Sequence, residues 1–202
     1  MSLTTYTGLK AAIANWLNRT DLSAEIPDFI ELAESRLAHE VRIPTIEKKT
    51  VISLDAEGFT TKPADFLELK HMFFNDTPLI RVSITKMHNF VASTGVPLYF
   101  AREVAKIRFH PTPVMTDSDR LEMIYYYKVP PLSDSAPTNV LLSTVPDLFL
   151  FGALSEASKF LDHLNEGARW ELAYQAAFGR AMKHLRDAEL AGSSPIIFSG
   201  YD

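Results

Sequence analysis

Thr45-Ile46-Glu47-Lys48-Lys49-Thr50-Val51-Ile52-Ser53-Leu54 is the stretch where the spacing of apolar side chains changes from three or four to two. Alternation of that kind puts successive side chains on opposite faces of a strand. Asp55-Ala56-Glu57-Gly58 follows with turn chemistry, and Gly58 suits the left-handed position of a hairpin. Upstream of Thr45 the spacing is helical. Leu9, Ala12, Ile13, Trp16 and Leu17 follow i, i+3, i+4, i+7, i+8, and Asn18, Thr20 and Asp21 supply the turn after them. A second helix is expected to start near Ser23, with Pro27 in its first turn and Pro44 as its end. Ile26, Phe29, Ile30, Ala33, Leu37 and Val41 form its apolar face, while Glu31, Glu34 and Glu40 are expected to face water.

Downstream, residues 66–74, 78–82, 97–101, 105–109 and 121–127 read as strands, with Asn75-Asp76 as a turn. Ser83 is placed to cap a short helix through Met87, Phe90 and Val91, which Gly95 stops. Val129 to Val145 reads as a long irregular connection, and such connections often carry function. Thr144 and Asp147 then form a capping pair around Pro146. The helix they open has Phe149, Leu150, Ala153, Leu154, Ala157 and Leu161 on one face. A break at Asn165-Glu166-Gly167 leads into the longest helix, ending near Leu190, with Trp170, Tyr174, Ala177, Ala181, Leu185 and Ala188 along one side. So short a break demands an antiparallel pair. The expected class is α+β. Helix pairs within 1–44 and 144–191 form an antiparallel bundle, 45–128 is an inserted, mostly antiparallel β-sheet subdomain, and 192–202 is an extended tail.

Composition bounds the function. The 202 residues carry 20 basic and 25 acidic side chains, a formal charge of -5, and no cysteine. Disulfides, thiolate metal sites and cysteine nucleophiles are therefore excluded. Residues 1–44 hold 4 basic and 6 acidic groups, 45–110 hold 9 and 7, and 111–202 hold 7 and 12. The longest basic run is Lys48-Lys49, so the clustered footprint of a phosphate-gripping protein is missing. No apolar run approaches the roughly 20 residues of a membrane helix. The N-terminus lacks the basic start and apolar run of a signal peptide, and a protein kept in the cytoplasm is expected.

No catalytic, cofactor or metal residue is assigned. His163 and Glu166 are three apart, but the expected helix break lies between them, and His184 and Asp187, which share a helix face at i, i+3, read as a solvated surface contact. His39, His71, His88 and His110 lie in separate elements. Neither Gly-x-Ser-x-Gly nor a phosphate loop is present. Trp16, Phe29, Phe149, Phe160 and Trp170 read as core.

Partner contacts are read from three places. After Gly192-Ser193-Ser194-Pro195 the chain presents Ile196, Ile197, Phe198 and Tyr201, side chains that gain about 1.5–3 kcal/mol each on burial. A tail of that kind docks either on its own bundle or in a groove of a partner. The strand 121–127 is apolar on much of both faces, which makes Tyr125 and Tyr127 candidate contacts inside a sheet or against another chain. The loop contributes Leu132 and Leu141.

Several segments carry a family resemblance. Near the start these are Tyr6, Trp16-Leu17-Asn18-Arg19-Thr20-Asp21, Ile26-Pro27-Asp28-Phe29-Ile30 and Ala33-Glu34-Ser35-Arg36-Leu37. Later come Pro63-Ala64-Asp65-Phe66-Leu67-Glu68-Leu69, Thr138-Asn139-Val140-Leu141-Leu142, Pro146-Asp147-Leu148-Phe149 and Ala153-Leu154-Ser155-Glu156-Ala157. With these the chain resembles the adaptor (head-completion or connector) proteins of tailed bacteriophages, particularly short-tailed ones. The resemblance implies a non-enzymatic virion protein in a ring of roughly twelve copies under the portal, closed by heterologous interfaces. Such a ring extends the DNA channel without reading DNA sequence and offers a platform to the tail or nozzle. It implies that Ile196, Ile197, Phe198 and Tyr201 reach the portal, and that the sheet and the loop 130–142 meet tail components or neighbours. Two other readings stay open on the sequence: a different virion part such as a tail-completion protein, and a small enzyme whose site forms only in three dimensions.

Overall fold

The computed structural model describes residues 2–55 and 57–190. The chain forms two compact units, one built from 1–45 with 130–202 and the other from 46–129. The class is α+β, with six α-helices and two four-stranded sheets among the described residues.

In the helical unit, α1 (Tyr6–Leu17) starts where the Thr5 hydroxyl accepts the Gly8 N–H and ends at Asn18, a left-handed residue at φ 51°. α2 (Ile26–Glu40) begins after Ser23, because the turn Leu22–Glu25 closes through Leu22 carbonyl contacts and leaves Pro27 in the first helical turn. It ends ahead of Pro44, at the extended Val41, and Pro44–Ile46 is a 3-10 turn. The six residues assigned to its apolar face are all buried. Glu34 departs from expectation. It points not into water but at the loop after residue 130.

That loop is ordered by its own hydrogen bonds and contains a further helix, α4 (Val140–Thr144), capped by Asn139. Thr144 does not cap the next helix, since its hydroxyl donates back to the Val140 carbonyl. α5 (Pro146–Phe160) follows, with Leu148, Phe149, Ala153, Leu154 and Ala157 fully buried, and packs against α1, α2, α4 and α6 (Leu164–Leu190). The break between α5 and α6 comes at 161–163, ahead of Asn165-Glu166-Gly167. Asp162 adopts φ 57° while His163 N–H returns to the Ser158 carbonyl, which satisfies the end of α5 without glycine. Gly167 lies inside α6.

In the second unit the strands are β1 (Glu47–Val51), β2 (Phe59–Thr61), β3 (Phe66–Phe74), β4 (Thr77–Pro78), β5 (Ile80–Arg81), β6 (Tyr99–Glu103), β7 (Lys106–His110) and β8 (Leu121–Tyr127). One sheet has the order β1-β8-β3-β4 and the other β2-β7-β6-β5, antiparallel except for β5 with β6. The turn ending at Gly58 (φ 80°) is present, yet β1 and β2 do not pair as a hairpin. They join different sheets, β1 to β8 and β2 to β7. Asn75 and Asp76, both at positive φ, do make the hairpin between β3 and β4. α3 (Ile84–His88) is capped by Ser83 and stops well before Gly95. Phe74, Met72, Leu121, Met123 and Tyr125 from the first sheet and Phe100, Ile107 and Phe109 from the second share one core.

Candidate interaction surfaces

Of the two places open to Tyr125, inside a sheet or against another chain, it occupies the first, buried in the core of the β unit at 1% exposure. β8 is the second strand of its sheet, so its backbone is paired on both edges by β1 and β3, and Leu121, Met123 and Tyr125 on one face of it enter the core of the β unit. The Tyr125 hydroxyl donates to Asp65 at 2.8 Å, and Asp65 also holds Lys48 at 2.8 Å. Lys48 and then the Tyr125 hydroxyl hold the Asp65 carboxyl below its usual range, while burial pushes the Tyr125 phenol up. Tyr127, at the end of the strand, is half-buried.

Leu132 and Leu141 are also inside, at 8% and 5% exposure. Glu34 on α2 accepts the Leu132 N–H at 3.0 Å and the Asn139 amide at 3.3 Å, and Asn139 in turn donates to the Pro130 carbonyl. The Pro137 carbonyl accepts the Tyr6 N–H at 2.7 Å, and Lys10 meets Asp134 at 2.7 Å. These ties explain the burial of the two leucines: the loop is strapped to α1 and α2. Tyr125, Leu132 and Leu141 could meet a partner only by leaving their own cores. Ile196, Ile197, Phe198 and Tyr201 lie outside the described residues.

The exposed apolar side chains are elsewhere. Trp16 and Phe160, assigned to the core from their spacing, are 52% and 61% exposed. Trp16 stacks edgewise on Phe151 and Trp170 at ring separations of 6.1 and 5.4 Å, which makes an aromatic cluster on the α1–α5–α6 side. Leu32, Leu164 and Leu172 are likewise exposed on the helical unit, as are Val51, Ile80, Val91, Leu98 and Val104 on the β unit. Helical spacing placed Trp16 beside the buried Leu9 and Ile13 but could not reveal that the helix ends one residue later, at the rim of the packed face.

No group of three or more histidines and acids is arranged to hold a metal among the described residues. His163 lies 3.5 Å from Glu166, both exposed, and His184 is exposed on α6. The strongest polar assembly joins helices. Arg36 makes two bonds to Glu171, at 2.6 and 2.7 Å, and a third to Glu40 at 3.0 Å, with its guanidinium 3.8 Å above the Tyr174 ring. The Tyr174 hydroxyl donates to Glu40 at 2.6 Å. The Arg36–Glu171 and Tyr174–Glu40 bonds tie α2 to α6, Arg36–Glu40 lies within α2, and Glu171 also accepts from Ser155 on α5.

A family model described as SU10 adaptor protein matches residues 4–197. The chain belongs to that phage head-tail adaptor family. The match runs across both units. Among curated proteins none matches the sequence. The family assigns the adaptor a structural role in the virion. No helix of the adaptor, among the described residues, is long and apolar enough to cross a membrane.

Proposed function

We propose that this adaptor is one subunit of a closed ring that joins the portal to the tail and extends the channel through which DNA leaves. The observation that carries the reading is the family match over residues 4–197. In this reading the N-terminal and C-terminal helix pairs act as one antiparallel bundle, the β unit is an inserted subdomain, and residues 192–202 form a docking tail. A closed ring needs two different patches on each subunit. The exposed cluster around Trp16 on one unit and the exposed Val91, Leu98 and Val104 on the other supply apolar surface suited to such contacts.

The tail, through Ile196, Ile197, Phe198 and Tyr201, is the proposed portal anchor, and Tyr127 and the β unit the proposed side toward tail or nozzle proteins. Residues 1–45 and 130–202 together carry 9 basic and 15 acidic groups. An acidic lining of that kind would let DNA pass without gripping its phosphates.

The test is to mix the purified adaptor with the portal of its own phage and image the particles. A ring of added density on one face of the portal is the expected outcome, reduced or lost when residues 195–202 are deleted. Density on a completed tail, with none on the portal, would replace the ring with a tail-completion role.

A further inference from the structure

A cavity in the β unit carries charges that its own packing does not use. Phe66, Leu69 and Phe100 give it an apolar floor, and Lys62, Arg81 and Arg102 stand around it. Phe100 belongs to the core at 4% exposure, whereas Arg81 and Arg102 are exposed. Lys48, Lys49, Lys70, Lys106 and Arg108 of the same unit each face a carboxylate. Lys62, Arg81 and Arg102 have no carboxylate within ion-pair distance among the described residues. Lys62 lies over the Phe66 ring, 5.4 Å away, and Arg102 Nε donates to the Val104 carbonyl at 3.2 Å. The single acid on the wall, Glu68, is exposed and already engaged.

Size and charge narrow the occupant. The space is about 160 Å³, below the roughly 300–1,000 Å³ of small-molecule sites, and suits one inserted side chain. Bare phosphates would leave the apolar floor unused. Residues 46–129 hold 11 basic and 10 acidic groups, so the unit lacks the broad basic face that nucleic acid requires. A short segment with one apolar side chain flanked by carboxylates satisfies both halves. The apolar group covers the floor, and the carboxylates meet guanidinium groups able to bind them through two parallel hydrogen bonds.

We propose that this cavity is a docking site for an acidic peptide segment of a partner protein, seating one apolar side chain on Phe66, Leu69 and Phe100 between Lys62, Arg81 and Arg102. The site stands whether or not the adaptor forms a ring.

The test uses the full chain and a fluorescein-labelled peptide, Glu-Glu-Phe-Glu-Glu, followed by fluorescence anisotropy. Two comparison probes are the same peptide with serine for phenylalanine and a single-stranded oligodeoxynucleotide of equal charge. The phenylalanine peptide is expected to bind best. Binding should weaken by about tenfold in the double variant Arg81→Glu, Arg102→Glu and remain unchanged in Lys86→Glu, a charge reversal outside the cavity. Circular dichroism melts of both variants confirm that they fold. The proposal is overturned if the peptide does not bind the wild type, if the folded double variant binds it equally, or if serine replaces phenylalanine without loss. Stronger binding of the oligonucleotide through the same arginines would convert the site to a phosphate site.

Discussion

Glu34 is the residue whose sequence reading and actual role differ most. A glutamate on a helix is ordinarily a solvated residue, and its position beside Ala33 and Leu37 gave no other sign. Its partners lie about a hundred residues away in the chain, at Leu132 and Asn139, so no local pattern could expose them. Burial raises the Glu34 pKa against the lowering effect of those two donors. In the fold the carboxyl therefore takes up a proton more readily than in the unfolded chain, and its contribution to stability falls as pH rises through its native pKa. Glu34→Ala leaves two donors without their acceptor and is expected to lower the unfolding free energy by about 1–3 kcal/mol in urea titrations. Glu34→Gln lacks the titration, so wild type should gain on that variant as pH drops from about 7 to about 4. Glu171 behaves in the opposite sense. Arg36 holds its carboxyl down to about 2, and the stabilisation it gives is present above the ordinary carboxylate range and lost as pH falls toward that value. The pair is partly exposed, so Glu171→Gln should cost about 1 kcal/mol at neutral pH, and urea titrations should show the difference fading in acid.

Element by element, the sequence was most legible where the period was long and the ends chemically marked. Phe66–Phe74 and Leu121–Tyr127 have the bounds expected from sequence, because each aromatic-rich stretch is flanked by charged or turn residues, Asp65 and Asn75-Asp76 for the first and Arg120 and Lys128 for the second. The α5–α6 break falls ahead of the one expected at Asn165-Glu166-Gly167, because Asp162 supplies the left-handed residue that glycine usually provides and Gly167 lies inside α6. The pairing of β1 and β2 was misjudged because a sound turn does not decide which sheet each strand joins. Two glycines in the helix pair give a sharper check on packing. An added Cβ at Gly152 would sit 3.1 Å from the Cβ of Ala33 on α2, so α2 and α5 would have to move apart by a few tenths of an ångström. At Gly179 the same atom meets nothing within 4 Å. Gly152→Val is expected to cost about 1–3 kcal/mol by overpacking the α2–α5 contact. Gly179→Ala should add about 0.5–1 kcal/mol through helix propensity alone. Chemical denaturation of the two variants side by side reads both signs.

At the scale of the whole molecule, the family and the class were legible because capping and core residues recur along the chain, whereas partner contacts were not. Spacing identifies an apolar face but cannot say whether the chain itself covers it, which is why Tyr125, Leu132 and Leu141, candidate contacts from the sequence, are buried within the chain while Trp16 and Phe160, expected in the core, are exposed. The division into two units has a consequence of its own. The apolar cluster of residues 46–129 draws every buried member from within that range, from Ile52 to Tyr125. Glu47 pairs with Tyr126, so the first and last strands of the unit are neighbours and its ends emerge side by side. An insertion of that geometry can be cut out without opening its sheets. Its 84 residues fall in the range of domains that fold alone, though small ones are marginal. The fragment 46–129 is therefore expected to unfold cooperatively in urea, with a tyrosine near-ultraviolet signal that disappears in the same transition as its strand signal. Both tryptophans, Trp16 and Trp170, lie in the helical unit, so in the intact adaptor tryptophan emission follows the helices while the fragment reports the sheets. A fragment that gave a broad, non-cooperative transition would mean that the sheets depend on the helical unit, and that the adaptor unfolds as one body.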